Sequence, residues 1–304
     1  MNYKLRTNKA FTLIELVVAV ALFAMVISFS SVIFKVSIEA YRTSSANAEI
    51  MQKLRAITDQ LNRDFKGLQK DGYLMLYSEF VSKYEFKDSP SQEYFEAARI
   101  YYFTTGDFQS WFDPGIRSNI ARVYFGHDSI SLDPFNPNPI PISQWNLARD
   151  VELITPGIAP PTPPPFVDYN DISYAKRKAD LKETRTNANN LLSSGIPIDI
   201  QNDPNSVRSL MCQNVGEIKI EWTDGTKYLL DNSLNWFGLV SGNSNYGNII
   251  EVRGKAPPTY RASWTPAIPK KYWPKALKFT FTLYDSKGIL EKGRTFTHIV
   301  YLGD

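Results

Sequence analysis

Cysteine is almost absent from this 304-residue chain: there is one, Cys212. A lone cysteine closes no internal disulfide, so the sequence neither requires nor excludes an oxidising compartment. Histidine is nearly as scarce, with only His127 and His298, so a His/Cys zinc site is not expected. His127 sits between Gly126 and Asp128 and reads as a turn residue, whereas His298 lies in an alternating run and reads as a core or edge residue. With Cys212 they supply the residue types of a nucleophile and base, but no spacing brings them together, and no enzyme is expected. The glycines are scattered, without a phosphate-binding loop, and residues 231–248 lack the ordered carboxylates of a calcium loop. Neither metal nor cofactor is expected. Net charge is also low, at +3, and three of the positives (Lys4, Arg6, Lys9) lie at the extreme N-terminus. The remainder is close to neutral and offers no basic face to nucleic acid.

Proline is missing before Pro90, and no charged residue occurs from Leu16 to Phe34. As a helix this stretch reaches roughly 28 Å, enough for a bilayer core. Lys4, Arg6 and Lys9 hold its N-terminal end in the cytoplasm by the positive-inside rule, which places everything after Lys35 on the other side. A secretory leader carries its small-residue cleavage site after a shorter apolar core. Here the small residue, Ala10, comes before the run, and Glu15 stands in the first turn. A carboxylate in a spanning helix costs on the order of 3 kcal/mol at the helix centre and less at the positive N-terminal end, so Glu15 is a functional candidate.

The order basic leader, Ala10-Phe11-Thr12-Leu13-Ile14-Glu15-Leu16, then anchor resembles the class III leader of type IV pilins and type II secretion pseudopilins. The resemblance implies that a prepilin peptidase cuts between Ala10 and Phe11 and methylates the new Phe11 amine. It also implies that Glu15 recruits the subunit to the amine of a neighbour in a filament. The family usually has Gly where this chain has Ala10; Ala is nearest in size, and cleavage is expected. One competing reading is an uncleaved signal anchor; another is that Glu15 only marks the interface boundary.

Beyond the anchor, Ile50, Leu54, Ile57, Leu61, Phe65 and Leu68 recur at spacings of three and four, with Met51 alongside. This predicts an amphipathic continuation of the helix to about Lys70, ended by Gly67 and Asp71-Gly72. A coiled-coil dimer is the alternative use of that stripe. Further on, "EIKIEW" (from Glu217), "ALKFTFTLYD" (from Ala276) and "RTFTHIVYL" (from Arg294) alternate as strands, the last two joined at Asp285–Gly288. Earlier candidates are "ARIYYF" (from Ala98), "ARVYFG" (from Ala121) and "ARDVELI" (from Ala148). A sheet with one apolar face needs a cover, and the striped helix supplies it. The expected fold is α+β: a long N-terminal helix, transmembrane in its first half and amphipathic in its second, packed on an antiparallel sheet. The expected segments are a leader 1–10, helix halves 11–36 and 37–70, and a β-rich domain 71–304 with proline-rich or polar excursions near 130–145 and 155–210.

"VGEIKIEWTDG", "WPKALKFTFTLYD" and "FTHIVYL", with "LNRDFKGL" and "LARDVELI", resemble the J-type minor pseudopilin of type II secretion and the related W-type minor pilins. This implies the pilin-like lollipop and a structural subunit near a filament tip. The implied partners are other minor and major pseudopilins, the prepilin peptidase and an inner-membrane assembly platform worked by a cytoplasmic ATPase. It implies single-pass inner-membrane insertion with a periplasmic domain, then a filament. The rivals are a minor pilin of a type IV pilus or DNA-uptake machine, and a membrane-anchored adhesin or hydrolase. Trp111-Phe112, Trp145, Trp236-Phe237, Trp264 and Trp273 could form the adhesin's carbohydrate face, or else serve as core and interface anchors.

Overall fold

The apolar run and the stripe that follows it fall in one helix, α1 (Leu13–Lys66). The computed structural model describes residues 12–82, 94–129, 140–159, 168–179, 198, 203–228, 232–239, 250–253 and 259–303. The chain divides into two units, Met1–Ala48 and Glu49–Asp304. In the first, the large apolar side chains from Leu13 to Ile38 are exposed on every side of the helix. This is the pattern of a helix meant for lipid or for other helices. The helix is long and apolar enough to cross a membrane. Ser28 and Ser31, two of the serines within that surface, donate their hydroxyls to the carbonyls of Ala24 and Ile27 (both 2.9 Å). The helix therefore satisfies them internally.

In the second unit, the stripe of α1 forms the floor of the main core. Ile50, Ile57, Leu61 and Phe65 are buried, and Leu54 and Leu68 pack partly against them. Met51 points away and is exposed, so the stripe is one residue narrower than the sequence reading. The helix stops at Lys66, four residues before the expected end. Gly67 explains the stop. A Cβ there would lie 2.0 Å from the Thr105 carbonyl oxygen. The chain passes flat against a strand at this point, with Thr105 N–H donating to Gly67 O (2.8 Å) and Gln69 N–H to Phe103 O (2.9 Å).

Eleven strands follow among the described residues: β1 (Leu74–Ser82), β2 (Tyr94–Gln109), β3 (Arg117–His127), β4 (Asn146–Ile154), β5 (Tyr169–Asn170), β6 (Leu210–Gln213), β7 (Val215–Thr223), β8 (Ile250–Arg253), β9 (Thr259–Trp264), β10 (Ala276–Leu283) and β11 (Arg294–Tyr301). A short helix, α2 (Tyr174–Ala179), lies between β5 and β6. The main path across the sheet is β11-β10-β7-β2-β1-β9-β8, with β3 branching from β2 to β4, and β4 carrying β5 and β6. Most pairs are antiparallel, as expected, but the sheet is mixed. β2 and β7 run parallel at Ala97↔Ile218, and β4 and β5 run parallel. The alternating strands place their apolar residues as predicted: Ile218, Ile220, Leu277, Phe279, Phe281 and Leu283 are fully buried over the helix. The β10–β11 hairpin is in unbroken register from Ala276↔Tyr301 to Leu283↔Arg294.

The opposite face of β1–β4 is not open to solvent. Tyr73, Met75, Tyr77, Tyr101, Phe103 and Tyr124 form a second core there. Ile172 and Ile198 join it, with Tyr174 and Leu210 against its edge. These covering residues fall in or beside the expected 155–210 excursion, so part of that segment is core rather than surface. At the other end of the helical floor, Lys53 Nζ pairs with Glu49 (2.8 Å), Asn214 Oδ1 (3.2 Å) and the Tyr284 carbonyl (3.0 Å). Ser286 donates both its N–H and its hydroxyl to Glu49.

Candidate functional site

Thr12 and Glu15 define the start of α1. Thr12 precedes the first helical residue, Leu13, and its carbonyl accepts the first helical bond, from Leu16 N–H (3.2 Å). The Thr12 hydroxyl accepts from Glu15 N–H (3.4 Å), and Glu15 Oε2 accepts in return from Thr12 N–H (2.8 Å) and Thr12 O–H (2.9 Å). This is a capping box: Thr at the N-cap and Glu at the third helical position satisfy each other's orphan groups. The sequence reading singled out Glu15 but passed over Thr12, although T-x-x-E before an apolar run is the signature of this cap. The arrangement also explains how the carboxylate is accommodated. Glu15 Oε2 draws two hydrogen bonds from its own chain at the electropositive end of a long helix. Among the described residues Oε1 takes no hydrogen bond. Lys4, Arg6, Lys9, Ala10 and Phe11, the expected leader charges and cleavage and methylation residues, lie outside the described residues.

The other candidates are dispersed. His127 ends β3 rather than forming a turn, is fully buried, and contacts the carbonyls of Val215 (3.1 Å) and Gly216 (2.6 Å) through Nε2. Cys212 lies on β6, beyond β4 from His127, and burial pushes its thiol up to about 11. His298 bonds Asn62 on α1. Among the described residues, no group of three or more His, Cys, Asp or Glu side chains is gathered as a metal site. The tryptophans do not share a face. Trp145, Trp264 and Trp273 are core residues, Trp236 is half-buried beside Lys278, and only Trp111 is well exposed.

Residues 5–31 match the family model of the prokaryotic N-terminal methylation motif. The match takes in residues 5–10 of the expected leader, the expected cut at Ala10–Phe11, the Thr12–Glu15 cap and the following turns of apolar helix. No curated protein and no solved structure matches the chain.

Proposed function

We propose that the chain is a non-enzymatic minor pseudopilin of a type II secretion system, inserted in the inner membrane and drawn into a short filament after cleavage before Phe11. The observation that carries this reading is the methylation motif over residues 5–31, running into a helix that is capped at Thr12–Glu15 and apolar on all sides. A prepilin peptidase removes Met1–Ala10 and methylates Phe11. The new amine then lies within about a helical turn of Glu15. Glu15 Oε1 is the acceptor for the amine of a neighbouring subunit, while Oε2 stays with the cap. The partners are major and other minor pseudopilins and the assembly platform, and the β-rich unit is periplasmic. Similarity of the β7, β10 and β11 sequences to J-type pseudopilins favours a place near the tip. The second reading, a minor pilin of a type IV pilus or DNA-uptake machine, rests on the same motif. The two separate by which system's loss leaves the protein unassembled.

The test is the intact mass of the membrane-extracted protein. Loss of Met1–Ala10 with one added methyl group is expected; an unprocessed N-terminus would overturn the reading. Glu15→Ala is expected to insert in the membrane but not to co-purify with filament subunits.

A further inference from the structure

The edge of β2 changes partner partway along. β3 pairs with it from Gln109 down to Ile100, opposite Phe125, and β7 takes over at Ala97 through a single parallel pair with Ile218. β7 is otherwise paired along its length with β10, and β10 with β11. Among the described residues three strands therefore join the rest of the sheet by one ladder contact, and other groups close the junction. Val215 N–H donates to the Trp145 carbonyl (3.0 Å), and Glu96 N–H donates to Glu217 Oε1 (3.1 Å). His127 Nε2 reaches the carbonyls of Val215 and Gly216.

Two buried titratable groups flank this seam with opposite proton requirements. Both partners of His127 Nε2 are acceptors, so Nε2 carries the proton. Among the described residues Nδ1 has no hydrogen-bond partner, and the ring is fully buried, which suits only the neutral form. Arg99 of β2, paired with Glu79 of β1, is the nearby charge opposing an imidazolium, and buried Asp128 follows His127 directly in the chain, just past the end of β3. Glu96 is 6% exposed, and its carboxyl accepts from the Ser78 hydroxyl of β1 (2.8 Å). It faces Glu217, Lys219 and Glu221 of β7. Lys219 and Lys278 of β10 are already engaged by Glu221 (3.3 and 2.7 Å), so neither is a dedicated counter-ion for Glu96.

We propose that the β2–β7 seam is a proton-controlled hinge, closed while Glu96 is protonated and His127 neutral, and loosened when Glu96 ionises against Glu217 and Glu221. Burial pushes Glu96 up to about 7, Ser78 and Lys219 oppose the rise, and Glu217 and Glu221 add to it. Its raised value in the folded chain means that stability is fully present below the unfolded carboxyl range, near pH 4.5, and is lost as pH rises toward 7. Burial pushes His127 down to about 4 against the pull of the two carbonyls, so its cost appears as pH falls below about 6.5. The alkaline response therefore belongs to Glu96.

Hydrogen exchange of the full chain in detergent micelles, corrected for intrinsic pH dependence, tests the hinge. Between about pH 6 and about pH 8.5, amides of residues 215–223 should gain at least about tenfold in exchange, and those of Leu74–Leu76 should not. Glu96→Gln should abolish the gain, and Glu217→Gln, which removes the facing charge but keeps an acceptor, should reduce it. A wild-type response persisting in Glu96→Gln, or absent from the native chain, would overturn the proposal. If Glu96→Gln does not fold, an undiminished response in Glu217→Gln overturns it equally.

Discussion

Asp64 and Arg149 form a two-pronged ion pair that fastens the last turn of α1 to β4. Arg149 Nε donates to Oδ2 (2.7 Å) and Nη2 to Oδ1 (2.8 Å). Gln60 adds a third donor to Oδ1 (2.7 Å), and Thr104 of β2 donates its hydroxyl to the Asp64 carbonyl (2.6 Å). Asp64 is 4% exposed, so its charge relies on these partners. Asp64→Asn or Arg149→Met should each cost on the order of 3–5 kcal/mol, because each strands its partner. The double variant Asp64→Asn with Arg149→Met should cost less than the sum. Denaturation midpoints of the four proteins check this; strictly additive losses would show that the pair is not coupled.

At the N-terminus, Thr12→Ala should weaken the first turn of α1 by about 1 kcal/mol, as loss of a cap does. The expected reading is faster amide exchange at Leu13–Leu16, with insertion unchanged. Thr12→Ser should restore protection, since the hydroxyl is what bonds Glu15. Unchanged exchange in Thr12→Ala would mean that Glu15 alone holds the turn.

Asp285 closes the turn between β10 and β11, accepting from Ile289 N–H (2.7 Å) and Leu290 N–H (3.0 Å). Burial works against its ionised form, but these amides outweigh it and hold the carboxyl below its usual range. Its contribution is therefore present above about pH 4 and is lost as acid carries the pH through the lowered value. Asp285→Ala should cost about 2 kcal/mol near neutrality and flatten the acid limb of the stability profile. An acid limb identical to that of the native chain would assign the acid response to other carboxylates.

Trp273 and Trp111 are opposites in the same domain. Trp273 is 1% exposed, with Nε1 donating to the Ile268 carbonyl (3.3 Å), whereas Trp111 is 67% exposed. Trp273→Ala should cost about 3–5 kcal/mol and Trp111→Ala no more than about 0.5 kcal/mol. Chemical denaturation distinguishes them, and equal losses would contradict these placements.

The parts legible in the sequence are those where one periodicity meets one buried face. Ile50 to Phe65 and Leu277 to Leu283 announce themselves because their other sides are polar. β1 gives no such signal. Leu74 and Leu76 face the helix while Tyr73, Met75 and Tyr77 face the second core, so the run is apolar without alternation. Ile172 and Ile198 lie outside any strand in a largely polar segment, where no periodic apolar run marks them. His127 was misread because Gly126 suggests a turn. That glycine is needed within β3 instead, where a Cβ would come within 2.8 Å of the Arg99 side chain. The parallel contact of Ala97 with Ile218 joins residues far apart in the chain, which local pattern does not encode. Thr12, by contrast, was readable from T-x-x-E alone.

The apolar stripe of α1 is complete at Phe65, yet two of the strands whose residues share its core, β10 and β11, begin at Ala276 and end at Tyr301. At ribosomal speeds those two ends of one core are made roughly 10–40 s apart. For that interval Ile50, Ile57, Leu61 and Phe65 have only the strands before β10 to cover them, and the places of Phe279, Phe281 and Val300 in their core stay unfilled. Every chain truncated before the final hairpin leaves part of that core open, so the last residues synthesised complete the shelter of the first helix.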